Sequence, residues 1–317
     1  MLIALGGNAL TSAEGGSSPA DQIAAIGVAA EHIATVAADG HQVVLTHGNG
    51  PQVGNLLLMN ELAAAVVAPM PLDWCDAMTQ ATIGFVISSA LERSLARRSL
   101  PLHVCAVVSR TVVDADDPGF VNPTKPVGRY LPAEDAALLV EHGEVWQDRG
   151  ERGWRRVVAS PEPRRMIDFH AVKTLVDNGF VVIAAGGGGI PCVREPDGSV
   201  RGVPAVIDKD LTAALFGSQI EADVLMIATD VETAVLRFGT PEAEPVGEVT
   251  VGQMREYAAQ GHFGGGSMGP KVEAACRFVE TGGRRAVIGK LDRLDAAVRG
   301  ETGTVVVPDP VAAASLP

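Results

Sequence analysis

The sequence predicts an α/β protein built on parallel strands, and three features carry that reading. Short apolar runs rich in Val, Leu, Ile and Ala alternate with segments of helical periodicity along the chain. The first two runs, Met1 to Leu5 and Val43 to Thr46, each end in a glycine loop, Gly6-Gly7-Asn8 and His47-Gly48-Asn49-Gly50. Between them lies one helical stretch of about 20 residues, long enough for a crossover between parallel strands.

Ser18-Pro19-Ala20-Asp21 has the form of a capping box with proline at the first helical position, and Ile23, Ile26, Ala30, Ile33 and Ala37 continue at helical spacing until Gly40. Strand, helix and strand make a right-handed βαβ unit, so both glycine loops open at the carboxyl edge of the sheet, where open α/β sheets bind ligands. Pro51 sits where a helix can begin. Gln52 to about Arg98 then reads as helical, with a break at Pro69-Met70-Pro71. Val104 to Val108 returns to strand. Arg110 to about Arg165, with Asp114, Asp116, Asp117, many prolines and the polar run Asp148-Arg149-Gly150-Glu151-Arg152, reads as an insertion with small hairpins that decorates the sheet.

Val181 to Ala185 is a third strong strand, running straight into Gly186-Gly187-Gly188-Gly189. Four glycines cost backbone entropy, so either something approaches the backbone closely or the run is a hinge. Val193 to Val203 reads as an exposed hairpin at a lobe boundary. Beyond it the pattern gives helix at Leu211 to Phe216, strand at Val224 to Thr229, helices at Gly252 to Gln260 and Lys271 to Glu280, strand at Ala286 to Ile288, helix at Leu291 to Arg299 and a last strand at Thr304 to Val307.

With 317 residues, 47% hydrophobic and 20% charged, the chain can bury one large core or two smaller ones without staples. A net charge of -13 argues against a nucleic-acid partner, which calls for a basic face. Even the uncharged stretch Ala77 to Leu91 is too short and too interrupted to span a bilayer, and no basic-then-apolar signal opens at Met1. Cys75, Cys105, Cys192 and Cys276 lie far apart without a C-x-x-C pair, so reduced thiols in cytoplasm are expected.

An acidic chain that binds an anion must supply local positive charge. The glycines at 48, 50 and 54 match neither G-x-G-x-x-G nor a Walker A loop, so on spacing alone this loop fits an ordinary turn as well as an anion site. Lysine is scarce: only Lys125, Lys173, Lys209, Lys271 and Lys290 are present. Three sit in turn-rich contexts, Asn122-Pro123-Thr124-Lys125-Pro126, Ile207-Asp208-Lys209-Asp210 and Gly264 to Lys271, where compact ammonium groups suit a phosphate. Asp208 and Asp210 flank Lys209 as carboxylates that orient lysines or hold Mg²⁺, while Asp210 could equally cap a helix beginning at Leu211. Thr229-Asp230-Val231, at a strand end, is placed either to line a nucleotide pocket or to make a turn. The seven histidines show no metal spacing.

In this order and spacing, Ala4-Leu5-Gly6-Gly7-Asn8-Ala9-Leu10, Thr46-His47-Gly48-Asn49-Gly50-Pro51-Gln52-Val53-Gly54, Asn122 to Pro126, Ala184 to Pro191, Val206 to Asp210 and Gly266-Ser267-Met268-Gly269-Pro270-Lys271 resemble the carbamate kinases of the amino-acid kinase superfamily. The resemblance implies a homodimeric three-layer αβα sandwich with a mainly parallel central sheet. It implies an amino-terminal lobe, 1–193, for carbamate or carbamoyl phosphate, a protruding subdomain at about 117–164, and a carboxyl-terminal lobe, 194–317, for ATP or ADP. The implied reaction is reversible phosphoryl transfer between ATP and carbamate in carbamoyl-phosphate and arginine catabolism, with Mg²⁺ carried by the nucleotide and no metal site of the protein's own.

By the same resemblance Lys125, Lys209 and Lys271 neutralise the transferred group, Asp210 holds the lysines, and Gly6, Gly7, Asn8, Gly48, Asn49 and Gly50 surround it. Asp208, Thr229, Asp230, Val231, Met268 and Gly269 fall to the nucleotide. Ala4 stands where many amino-acid kinases have a lysine, which separates the chain from acetylglutamate kinases and leaves Lys125 or Lys209 as the substitute. Glu232 and Val235 depart from the Asp and aromatic expected beside the adenine, so either weaker stacking or an altered purine preference is expected. A kinase of another small carboxylate, or a non-catalytic sensor, would share the fold.

Overall fold

The computed structural model describes residues 1–6, 18–141, 143–264 and 267–310. An eight-stranded sheet runs through the molecule in the order Glu248–Thr250, Thr304–Val307, Arg285–Lys290, Val224–Thr229, Leu2–Leu5, Val44–His47, Phe180–Ile183, His103–Ala106. The last six of these strands are mutually parallel, and only the first two run against them. The predicted βαβ unit is present: Leu2–Leu5 and Val44–His47 pair in parallel, with helix Pro19–Ala38 between them in sequence. Ser18 closes the predicted capping box with Asp21, and Gly40 at φ +87° follows the helix end.

Strand Leu2–Leu5 is buried on both faces, which is why it reads as a continuous apolar run. Leu2 and Ala4 enter a core with Phe216 and Phe278, contributed by helices Lys209–Gln219 and Met268–Glu280. Ile3 and Leu5 enter the opposite core with Ile33 and Leu91, from helices Pro19–Ala38 and Leu72–Arg97. Helices on both sheet faces make the three-layer αβα sandwich.

The break at Pro69-Met70-Pro71 separates helix Gly50–Ala63 from helix Leu72–Arg97. Helix Phe169–Asp177 carries no reading in the sequence, whereas the exposed hairpin forms from Ile190–Arg194 and Val200–Gly202. Within the predicted insertion, Lys125–Leu131, Trp154–Val158 and Val145–Asp148 form an antiparallel sheet, with Leu131, Ala136 and Trp146 as its own small core. Glu162, near the end of that stretch, pairs with Arg277 on helix Met268–Glu280. A separate four-stranded sheet has the order Val200–Gly202, Ile190–Arg194, Arg110–Val112, Arg165–Met166.

Candidate functional site

The strand Val44–His47 delivers its backbone into the glycine loop at the carboxyl edge, and Gly48 N–H donates to Leu5 O at 3.0 Å, tying that loop to the end of the neighbouring strand. Asn49 is the N-cap of helix Gly50–Ala63, with Pro51 in its first turn. Its side chain does not cap that helix. Asn49 Nδ2 instead donates to Asp76 Oδ1 and Thr79 Oγ1, each at 3.0 Å, in a buried contact with helix Leu72–Arg97. The backbone N–H groups of Asn49 and Gly50 have no acceptor among the described residues, as an anion site at a helix N-terminus requires.

The four-glycine run packs against this loop. Ala185 and Gly187 to Gly189 all have positive φ. A Cβ at Gly186 would overlap the His47 imidazole, and one at Gly187 would overlap the Asn49 amide. Gln80 Nε2 donates to Gly186 O at 3.1 Å, and Thr46 Oγ1 donates to Ala185 O at 2.8 Å. The glycines therefore make room for two side chains of the neighbouring loop. His47 is fully enclosed; burial foremost, and then the nearby Lys209 ammonium, push its imidazole down to about 4, against the bond to Gly48 O.

Three lysines converge opposite the loop. Asp210 accepts Lys209 Nζ on one carboxylate oxygen at 2.6 Å and Lys271 Nζ on the other at 2.9 Å. Burial alone would raise the Asp210 carboxyl, yet the two ammonium groups hold it far below the usual carboxylate range. Burial lowers the Lys209 ammonium, with Asp210 opposing. Lys125 Nζ reaches Asp208 Oδ2 at 2.7 Å. Asp208 Oδ1 also accepts from Asp210 N–H and Leu211 N–H, so Asp208 caps the helix, which begins at Lys209; this corrects the expectation that Asp210 caps a helix from Leu211. The loop, the three lysines, Asp208 and Asp210 line one cleft of about 720 Å³, which Arg149 of the small sheet's turn also faces.

A second cleft of about 200 Å³ adjoins it, walled by Thr229, Asp230, Val231, Val235, Phe238, His262, Phe263 and Met268. Ser267 lines both. The first turn of helix Met268–Glu280 thus divides them, with Met268 toward the second and Pro270 and Lys271 toward the first.

The amino acid kinase family model matches residues 1–290. The chain belongs to the amino acid kinase family. It is 44% identical over 311 residues to the carbamate kinase of Pyrococcus furiosus, covering 97% of this chain and 99% of that one. It is 46% identical over 312 residues to the carbamate kinase of Thermococcus kodakarensis, covering 97% and 98%. The solved structure of carbamate kinase from Giardia lamblia bound to AMP-PNP superposes with a TM-score of 0.90 at 39% identity, covering 97% of this chain and 98% of that one.

In this amino acid kinase, the structure brings Gly48, Asn49, Gly50, Lys125, Asp208, Lys209, Asp210 and Lys271 into the first cleft. Thr229, Asp230, Val231 and Met268 line the second. Asp208, expected beside the nucleotide, faces the first cleft. Gly269 lies in the first turn of its helix, where a Cβ would meet Phe263 O at 2.9 Å, and Gly6 N–H donates to Ala228 O at 3.0 Å, joining the two halves of the sheet. Gly7 and Asn8 lie outside the described residues. Asp76, Gln80, Phe238 and His262 carried no reading in the sequence. The one available signal was polar residues at inward positions of helix Leu72–Arg97, where Asp76, Thr79 and Gln80 interrupt a buried stripe that continues as Ile83, Ile87 and Leu91.

Proposed function

We propose that this amino acid kinase is a carbamate kinase, transferring phosphoryl between carbamoyl phosphate and ADP. One observation carries the reading: Asp210 clamps Lys209 and Lys271 opposite a helix end with open N–H groups, in a cleft adjoining a second one fit for a nucleotide base. Identity of 44% and 46% to named carbamate kinases over nearly the whole chain supports the substrate.

Carbamate is already an anion, so the transfer needs no general base, only alignment and charge neutralisation. Lys125, Lys209 and Lys271 face the equatorial oxygens, and the loop N–H groups of Asn49 and Gly50 take the remaining charge. Thr229, Asp230, Val231 and Met268 hold the nucleotide, with Phe238 and His262 supplying the aromatic surface that Val235 lacks. The carboxylates lining the first cleft, Asp208 and Asp210, are each paired with lysine, a donor set that suits Mg²⁺ held on the nucleotide phosphates. Bound there, Mg²⁺ would screen the charge between nucleotide and transferred group. Gly6, Gly7 and Asn8 belong to the same phosphoryl site, with residues 1–193 as the carbamate lobe and 194–317 as the nucleotide lobe.

Among the described residues no helix is long and apolar enough to cross a membrane, and we place the enzyme in the cytoplasm. It acts as a homodimer. Trp74, Met78 and Phe85 lie exposed along helix Leu72–Arg97, and Gly84 of the same helix packs on Ala106 of the sheet's edge strand, so an apolar stripe and an open strand edge lie together. Light scattering on the wild type and on Trp74→Glu with Phe85→Glu tests this, a monomer in both cases refuting it. The activity is tested by incubating the protein with carbamoyl phosphate, ADP and Mg²⁺ and measuring ATP; no ATP formation overturns the reading.

A further inference from the structure

Asparagine at an N-cap ordinarily folds its side-chain oxygen onto the N–H groups of its own first turn. Asn49 does not: its side-chain nitrogen is bound by Asp76 and Thr79, on a different helix. Thr79 Oγ1 donates its own proton to Asp76 O at 2.8 Å, so toward Asn49 it can only accept. That fixes which end of the amide faces helix Leu72–Arg97. On the other side, Gly187 leaves no more room than the amide needs.

Asp76 is an unusual choice for this task. The residue is 1% exposed, and its Oδ2 has no hydrogen-bond partner among the described residues. Burial foremost, with Asp73 nearby, pushes the carboxyl well above the usual range, against the pull of the Asn49 bond. No ammonium pairs with it among the described residues. An unpaired oxygen in such a place is costly, and packing alone would favour an apolar side chain.

We propose that Asp76 is a positioning residue of the transfer site: with Thr79 it anchors the Asn49 amide against helix Leu72–Arg97, fixing the loop backbone so that the Asn49 and Gly50 N–H groups stay directed at the anionic substrate. The inference rests on the phosphoryl-transfer reading given above. Without Asp76, the Asn49 amide loses its anchor, and the loop N–H groups that the substrate requires lose their fixed direction.

The test is a double-mutant cycle on Asp76→Ala, Asn49→Ala and the pair, with Asp76→Asn as the conservative variant, read both by turnover with carbamoyl phosphate and ADP and by calorimetric titration of inorganic phosphate. Asp76→Ala is expected to weaken phosphate binding and raise KM for carbamoyl phosphate about tenfold, with KM for ADP unchanged. Asp76→Asn keeps an acceptor oxygen and the volume, and stays within about threefold of wild type. In the Asn49→Ala background Asp76→Ala has no further effect, because no amide remains for Asp76 to anchor. An equal effect in both backgrounds, a parallel rise in KM for ADP, or an Asn variant as impaired as the Ala variant overturns the proposal. If the wild type makes no ATP while the phosphate cycle behaves as described, the reaction assignment falls and the role of Asp76 stands.

Discussion

Lys271 Nζ lies 2.9 Å from Asp210 Oδ2, bringing the first turn of helix Met268–Glu280 against the first turn of helix Lys209–Gln219. The other oxygen of the same carboxylate holds Lys209, so one side chain fixes two ammonium groups. Lys271→Ala is expected to lower kcat by about 10²–10³, the effect of removing one donor from a charge-stabilising site, with the fold retained. Asp210→Asn leaves two enclosed cations without the carboxylate that they share and should cost stability as well, on the order of 3 kcal/mol in denaturant unfolding. An Asp210→Asn enzyme as stable and as active as wild type would remove the clamp from the mechanism.

Asp208 does two jobs with its two oxygens, capping a helix with one and holding Lys125 with the other. Asp208→Asn keeps the cap and loses the charge, so its unfolding midpoint should match wild type while KM for carbamoyl phosphate rises. Asp208→Ala loses both and should unfold about 1 kcal/mol more easily. Equal stability of the two variants would show that the cap contributes nothing.

Gly187 combines positive φ with a neighbour that fills the space of any Cβ. Gly187→Ala is therefore expected to displace Asn49 and to cost about 2 kcal/mol or more. Gly198, also at positive φ but with open space around it, is the control: Gly198→Ala carries only the backbone cost, on the order of 1 kcal/mol, and leaves turnover intact.

The folded chain keeps His47 neutral down to about pH 4, while the unfolded chain takes up that proton near its ordinary value of 6.5. Between these pH values the unfolded state binds more protons, so stability falls as pH drops from 6.5 to 4 and the effect levels off below. The total for this one group is about 3 kcal/mol. Wild type should lose about 2 kcal/mol more than His47→Gln between pH 7 and pH 4.5 in denaturant melts. Parallel losses in the two proteins would mean that His47 takes up its proton in the folded state.

Phe238 is 80% exposed at the mouth of the second cleft, a poor place for an aromatic ring with nothing to cover it. Phe238→Ala should raise KM for ADP by about three- to tenfold without changing kcat, as expected for a lost stacking surface. An unchanged KM would assign base recognition to His262 and Phe263.

Features set by local chemistry were legible in the sequence. Glycine and proline mark the loop at Gly48 and the helix start at Pro51, Ser18 with Asp21 announces a helix, and scarcity singles out the cleft lysines. Choices between equivalent neighbours were not. Asp208 and Asp210 both suit an N-cap, and what decides is that Lys209 and Lys271 claim the second carboxylate. Partners far apart in the chain were not legible either: Gln80 meets Gly186 across 106 residues, and nothing local announces the meeting. The aromatic wall of the second cleft escaped for a similar reason, since Phe238 and His262 come from separate segments and not from the slot at Val235.

Strand Leu2–Leu5 precedes both of its neighbours in the sheet, Val44–His47 and Val224–Thr229, in chain order. One edge of this fully apolar strand can therefore be satisfied as soon as Val44–His47 is made, and the other only once Val224–Thr229 has followed. Until then a bare parallel edge is presented to whatever is nearby. At about 5–20 residues per second, that interval lasts on the order of ten seconds or more, long beside the time a β-hairpin needs to form. Placing Leu2–Leu5 at the centre of the finished sheet thus makes the late arrival of Val224–Thr229 the interval in which the nascent chain is most open to wrong pairing.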